Sequence, residues 1–230
     1  MMQYEEGESG TGALPEPARE KLGPVGKGTG NILLLLSAPS GAGKTTLCQE
    51  LLKRRAGLTR VVTCTTRPPR AGERDGVDYH FLDAASFAQK LAAGEFLEHA
   101  TVYGHGYGTL RREVQDRLAS GRDVLLNVDV QGAAAIRARA REEAWLGRAL
   151  VTVFLTPPSV HELEARLRRR GTESEPVIQR RLAMARTEIA RWREFDYLIL
   201  SGTIAEDVMR LEAILEAEKL RTLRQKLSGF

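Results

Sequence analysis

Apolar residues along the chain follow two alternating rhythms. Ile32–Ser37, Asp123–Val130, Ala149–Thr156 and Tyr197–Leu200 are short runs, apolar at most positions. A strand buried on both faces reads this way. Between them, apolar residues recur at three- and four-residue spacing. Lys44 to about Arg55 carries Leu47, Leu51 and Leu52 in that pattern, and Arg111–Ser120, Gln131–Glu143, Pro176–Arg193 and Ile204–Lys226 also read as helices. Ser159 opens one more, running to Arg170, with Glu162 three residues on as a capping box. Buried strands alternating with helices predict an α/β fold, a parallel sheet flanked by helices.

The rhythm breaks between residues 63 and 110. Val61–Thr65 is a short β-branched strand, Thr66–Tyr79 a loop of Pro, Gly, Arg and Asp, and His80–Leu82 a further strand. Ser86–Ala93 is a short helix ended by Gly94. This stretch reads as an inserted mixed α+β lobe. Residues 1–29 are rich in Gly, Glu and Pro and nearly empty of large aliphatics, so they are expected to be disordered. The expected organisation is core over 30–62, lobe over 63–110, core over 111–158, a lid region over 159–185, and core with a C-terminal helix over 186–230. Ala213, Ile214, Leu215, Leu220 and Leu223 of that helix suit packing either on their own core or on a partner, which leaves the oligomeric state open.

Composition acts mainly by exclusion. The chain has 230 residues, 42% of them hydrophobic, enough for a real core. Its two cysteines, Cys48 and Cys64, are too few for a disulfide framework and lack zinc spacing. No apolar run approaches the ~18 residues of a membrane span, and no secretory leader pattern opens the chain. A cytoplasmic protein is the expectation. The net charge of +4 suits anionic small molecules and nucleic acid equally, and no nucleic-acid motif accompanies it.

The chemistry begins at SAPSGAGKTT, Ser37 to Thr46. It follows a buried strand and opens a helix, the context a phosphate-binding P-loop requires. The first glycine of G-x-x-x-x-G-K-[ST] is Ala38 here, at the strand exit, where a methyl group is tolerable if φ stays negative. Backbone N–H groups through Ser40, Gly41, Ala42, Gly43, Lys44, Thr45 and Thr46 can face phosphate oxygens at the positive end of the helix. Lys44 can reach the β- and γ-phosphates of ATP, and the Thr45 hydroxyl can bind Mg²⁺. In the lobe, Arg67 and Arg70 with Tyr79 and Tyr107 can ring a phosphate dianion, since arginine gives forked charged bonds and tyrosine a neutral donor. Taken alone, the same residues also suit a solvated Pro/Arg loop.

TTRPPRAGERDGVDYHF, GEFLEHATVYGHGYGT, DVQGA and RLRRRGTESEPVIQRRL resemble the signatures of bacterial guanylate kinases, over about residues 31 to 225. The resemblance implies a P-loop kinase core, a GMP-binding lobe and a mobile helical lid. It also implies the reaction ATP + GMP ⇌ ADP + GDP, with dGMP as a second acceptor and Mg²⁺ accompanying ATP. By the same resemblance Arg67, Arg70, Tyr79 and Tyr107 hold the GMP phosphate, and Thr63, Glu98 and Thr109 contact guanine. Asp129 lies near guanine and the catalytic centre, and Arg166, Arg170 and Arg181 are lid or lid-border arginines. Chemistry supports the carboxylate independently. Guanine presents N1–H and N2–H₂ side by side, which one ionised Glu98 can accept together, whereas adenine leaves it unpaired. No general base is needed, because the acceptor phosphate oxygen is already anionic and the obstacle is charge repulsion.

Two departures from the family pattern stand out. Asn127-Val128-Asp129 replaces the usual Asp-x-Asp, which implies weaker Mg²⁺ attraction or a larger share for Asp129. Leu200-Ser201-Gly202 replaces the usual Val-Asn-Asp beside adenine. Two other readings stay open here. One is a kinase for another nucleoside monophosphate. The other is a non-catalytic scaffold domain of the same fold that binds phosphopeptides. ATP affinity separates the second from an enzyme.

Overall fold

A computed structural model of the chain describes residues 30–102, 104–169 and 174–225. The segment 1–29, Arg170 and the end of the expected last helix at Lys226 lie outside the described residues.

The core sheet is parallel throughout. It contains β1 (Leu33–Ser37), β2 (Leu58–Arg60), β7 (Asp123–Asn127), β8 (Leu150–Thr156) and β9 (Tyr197–Leu200) in the order β2-β7-β1-β8-β9. Alternation along β1 sends its side chains to two cores. Ile32, Leu34 and Leu36 pack with Leu47, Cys48 and Leu51 of α1 (Lys44–Arg54) and with Val208, Leu211 and Leu215 of α8 (Ile204–Lys219). Leu33 and Leu35 pack on the other face with α3 (Arg111–Ala119), α4 (Val130–Glu142) and α5 (Ala144–Ala149). β1 is central, with β7 on one side and β8 on the other, so the loop after it opens at the sheet's topological switch point, where open α/β sheets bind ligands.

The second sheet is mixed. β3 (Cys64–Thr65), β4 (His80–Phe81), β5 (Phe96–Val102) and β6 (His105–Leu110) run in the order β4-β3-β6-β5, and with α2 (Ala84–Ala92) they form the lobe. Its own small core is Cys64, Phe87 and Phe96. A fourth cluster joins Leu163 and Leu167 of α6 (Val160–Arg169) to Ile178, Leu182 and Ala185 of α7 (Glu175–Ile189).

Several boundaries differ from expectation. Val61–Thr65 is not one strand. Val61 still bonds β7, through its N–H to Leu125, while Cys64 and Thr65 already belong to the lobe sheet, so this run is the crossing between sheets. β5 and β6 were not expected, because their Gly, His and Thr content hides the alternation. The strand expected to reach Val130 ends at Asn127, and α7 ends at Ile189 rather than Arg193. α8 ends at Lys219. Val208, Leu211 and Leu215 are fully buried, while Leu220, just past the helix, is 76% exposed, so α8 packs along its length on its own core. Ser159 accepts from the Glu162 N–H at 3.1 Å, but the Glu162 carboxylate turns to Arg166, so only half of that capping box forms. A full box forms instead between Thr203 and Glu206 at the start of α8. Among the described residues no helix is long and apolar enough to cross a membrane.

Candidate active site

The loop between β1 and α1 bends through two glycines with left-handed backbone, Gly41 at φ 95° and Gly43 at φ 93°. Gly43 is the N-cap of α1. A side chain at either position is strained. Ala38, by contrast, is 5% exposed and tucked into the core, so the residue that departs from the motif is a packing residue outside the turn. Ser40 to Thr46 line a cavity of about 310 Å³ together with Ala38, Pro39, Asp129 and Glu188. Lys44 spans it, and its Nζ donates to the Val128 carbonyl at 2.7 Å. Burial holds its ammonium below the ordinary lysine value, opposed by the charges of Cys48, Asp129 and Glu188. The Thr45 side chain is exposed at the cavity.

Asp129 sits beyond the end of β7 and caps α4. Its Oδ1 accepts from the N–H groups of Gln131 at 3.0 Å and Gly132 at 2.8 Å. The cap fixes the carboxylate between two environments. On one side it lines the loop cavity. On the other it approaches Glu98: a Cβ built on Gly132 would stand 3.1 Å from Glu98 Oε2 and 3.5 Å from Asp129 Oδ1.

Glu98 is 9% exposed and Thr109 fully buried. They are cross-strand partners of β5 and β6, and Thr109 Oγ1 donates to Glu98 Oε1 at 2.6 Å. The register shifts between Phe96 and Glu98, where Leu97 is the extra residue. Bulges of this kind re-aim a side chain. Here Phe96 goes to the lobe core, Leu97 to the main core, and Glu98 to the gap facing α4. Burial raises the Glu98 carboxyl above the usual range, and the Asp129 charge adds to this while Thr109 opposes it.

The lobe residues expected at a phosphate form a second cluster. Arg67 Nη2 donates to both Glu73 carboxylate oxygens, at 2.8 and 2.9 Å, and Nη1 donates to the Pro68 carbonyl at 2.7 Å. It lies 5.5 Å over the Tyr79 ring, which meets Tyr107 edge to face at 6.1 Å. Bonds from Glu73 first, with Tyr107 adding, hold the guanidinium above its ordinary value. Glu73 also accepts the Arg70 N–H at 2.7 Å, while the Arg70 side chain is exposed. Thr63 stands at the crossing between the sheets and accepts the His80 N–H on its carbonyl at 2.9 Å.

The arginines of the helix pair lie apart from the cavity lining. Arg166 on α6 donates to Ser201 Oγ at 3.0 Å, and Ser201 donates onward to the buried Asp207 at 2.9 Å. Arg181 lies on α7. The structure brings the loop and Asp129 to one cavity, Glu98 and Thr109 beside it, and Arg67 with Tyr79 and Tyr107 together in the lobe. Glu188, Glu73 and Gly132 stand next to these groups and were not among the expected residues. Glu73 and Gly132 lie within TTRPPRAGERDGVDYHF and DVQGA, whereas Glu188 lies in none of the family-like stretches.

Comparison with known proteins follows the same outline. The family model described as guanylate kinase matches residues 30–218. A guanylate kinase of Sphingopyxis alaskensis is 46% identical over 200 residues, covering 86% of this chain and 88% of the relative. A guanylate kinase of Paramagnetospirillum magneticum is 44% identical, covering 84% and 88%. The crystal structure of guanylate kinase from Anaplasma phagocytophilum superposes with a TM-score of 0.65 at 34% identity, covering 85% of this chain and 89% of that one.

Proposed function

The chain belongs to the guanylate kinase family, whose reaction is the ATP-dependent phosphorylation of GMP, and from that premise we propose how its residues divide the work. The observation that carries the reading is Asp129, which lines the loop cavity and also stands against Glu98. A residue shared by the loop cavity and the Glu98 gap makes the two neighbours, which direct transfer between bound nucleotides requires.

ATP lies with its phosphates in the cradle of Ser40 to Thr46, on backbone N–H groups at the helix N-terminus. Lys44 exchanges its bond to the Val128 carbonyl for the transferring phosphoryl group. GMP lies across the lobe. Arg67, Arg70, Tyr79 and Tyr107 hold its phosphate, Glu98 accepts from guanine N1 and N2, and Thr63 and Thr109 supply polar contacts to the base. dGMP is accepted as well, because none of these contacts uses the ribose 2′-hydroxyl.

The acceptor oxygen is already anionic, so the residues neutralise and align rather than abstract a proton. Lys44 and Arg67 supply charge from the two sites. Arg166 and Arg181 supply it from the helical pair, which closes as a lid and excludes water, and Arg170 is assigned the same role by the family resemblance. The donor set fits Mg²⁺ arriving with ATP: the Thr45 hydroxyl and the Asp129 carboxylate are hard donors on residues that line one cavity. When bound, Mg²⁺ neutralises charge on the β- and γ-phosphates. A cytoplasmic location belongs to the same reading, with Cys48 and Cys64 both free and buried.

A coupled assay of ADP release tests this, with ATP, Mg²⁺ and GMP, dGMP, AMP, CMP, UMP or dTMP as acceptor. Turnover confined to GMP and dGMP is expected. Equal turnover with AMP would overturn the role of Glu98, and no turnover with any acceptor would overturn the whole assignment of the site.

A further inference from the structure

Glu188 has no part in the division of work above, yet it reaches the phosphate cradle. It stands near the end of α7, half-buried, and lines the same cavity as the whole P-loop. Its Oε2 accepts the backbone N–H of Ser40 at 3.3 Å. Lys44 and Asp129 are the charged groups that face it. Burial pushes its carboxyl upward, while the Ser40 N–H and Lys44 favour its charge.

A carboxylate on a P-loop N–H, beside the P-loop lysine, occupies the electrostatic position of a phosphate oxygen. It cannot remain there when a triphosphate enters, because two anions would share one set of donors at short range. The contact also bears on the helix pair. α7 packs on α6 through Leu163, Leu167, Ile178, Leu182 and Ala185. α6 in turn abuts the loop: a Cβ on Gly41 would meet Leu167 Cδ2 at 2.7 Å and Leu163 Cδ1 at 3.3 Å. Among the described residues the pair meets the cradle through a polar contact, Glu188 to Ser40, and an apolar one, Leu163 and Leu167 against Gly41.

We propose that Glu188 is a resident anion of the P-loop, which holds the loop and the α6–α7 pair together in the ATP-free enzyme and is displaced by the phosphates of ATP. The inference rests on the reading that ATP binds this loop. It makes Glu188 a determinant of ATP affinity that acts by competition. ATP binding must first break the Glu188–Ser40 contact, and breaking it removes the polar tie between α7 and the cradle.

The test is calorimetric titration of the full chain with ATP, with and without Mg²⁺, in wild type, Glu188→Gln and Glu188→Ala. Inorganic tripolyphosphate serves as a probe that lacks the base. Loss of a charged competitor of this kind is expected to tighten ATP and tripolyphosphate binding by about tenfold. Thermal melts supply a second readout. Without ligand the variants are expected to melt at or below wild type, and with ATP their melting temperature is expected to rise by more than that of wild type. A merely structural glutamate lowers both. Unchanged or weaker ATP binding in both variants, with wild type binding ATP, would overturn the proposal and leave the ATP-site reading intact. Failure of wild type to bind ATP would overturn both.

Discussion

Replacing Glu98 by glutamine exchanges one oxygen for an amide group in a pocket only 9% open to solvent. Oε1 already accepts from Thr109 at 2.6 Å, so the oxygen left for a base is Oε2, which faces Gly132 and Asp129. The Thr109 hydroxyl can donate to the glutamine carbonyl or accept from its amide NH₂. In the first arrangement the NH₂ meets guanine's own donors without water, and in the second a single neutral carbonyl replaces the charged acceptor of two donors. Loss of charged hydrogen bonds and an unsatisfied buried donor together cost about 3–4 kcal/mol, or roughly 10²–10³ in kcat/KM for GMP. The same change acts oppositely on the empty protein. Burial raises the Glu98 carboxyl above its unfolded value, so the folded state resists its ionisation. That penalty is absent below the unfolded pKa, grows as pH rises toward the folded pKa, and is complete above it. Neutral glutamine removes it, so Glu98→Gln should melt no lower than wild type at pH 8. A steady-state assay with GMP and a thermal melt on one preparation check both signs. A kcat/KM within tenfold of wild type would refute the base-reading role, and a large drop in melting temperature would refute the electrostatic argument.

Lys44→Met keeps length and removes charge. Its kcat should fall by roughly 10²–10³, as for loss of a preorganised transition-state donor, while the melting temperature holds, because burial disfavours the ammonium in the folded state; a kcat within tenfold of wild type refutes the role. Gly132→Ala places a methyl 3.1 Å from Glu98 Oε2. A crowding cost of about 1–2 kcal/mol on the Glu98 geometry should raise KM for GMP by roughly tenfold and leave KM for ATP nearly unchanged; equal shifts in both would show general damage instead. Asn127→Asp restores a carboxylate at the C-terminal end of β7, two residues before Asp129. Calorimetry of Mg²⁺ with ADP present should show several-fold tighter binding, and an unchanged isotherm counts against a role for position 127.

The sheet was legible because β1, β7 and β8 are buried on both faces, and that condition leaves unbroken apolar runs. The cradle was legible because its geometry is local: a strand, two glycines at positive φ and a helix N-terminus lie within a dozen residues. The lobe hairpin was not. β5 reads FLEHATV, with three buried residues in succession at its start, and only a bulge reconciles that run with a half-exposed strand. The bulge is a property of the pairing with β6, so it exists only once both strands are present. Asp129 was placed on a strand by its apolar neighbours and turns out to be a helix cap, because the chain must leave β7 before it can turn toward α4.

Glu188 marks where local reading ends. It is an acidic residue on a helix rich in charge, and nothing within four residues distinguishes it from Glu175, which is spent on Arg168 and Gln179. What distinguishes it is the cradle 148 positions earlier in the chain. A site made of backbone donors has no side-chain partner encoded beside it, so its donors need an acceptor whenever the substrate is away. That need follows from the loop sequence alone. The residue that meets it follows only from the packing of α7 and α6 against the loop. Glu73 stands in the same relation to the proposed GMP-phosphate site: Arg67 carries a fixed charge, and a carboxylate six residues on accepts twice from its Nη2. There the partner is close enough in sequence to be read, because a side-chain donor travels with its own loop.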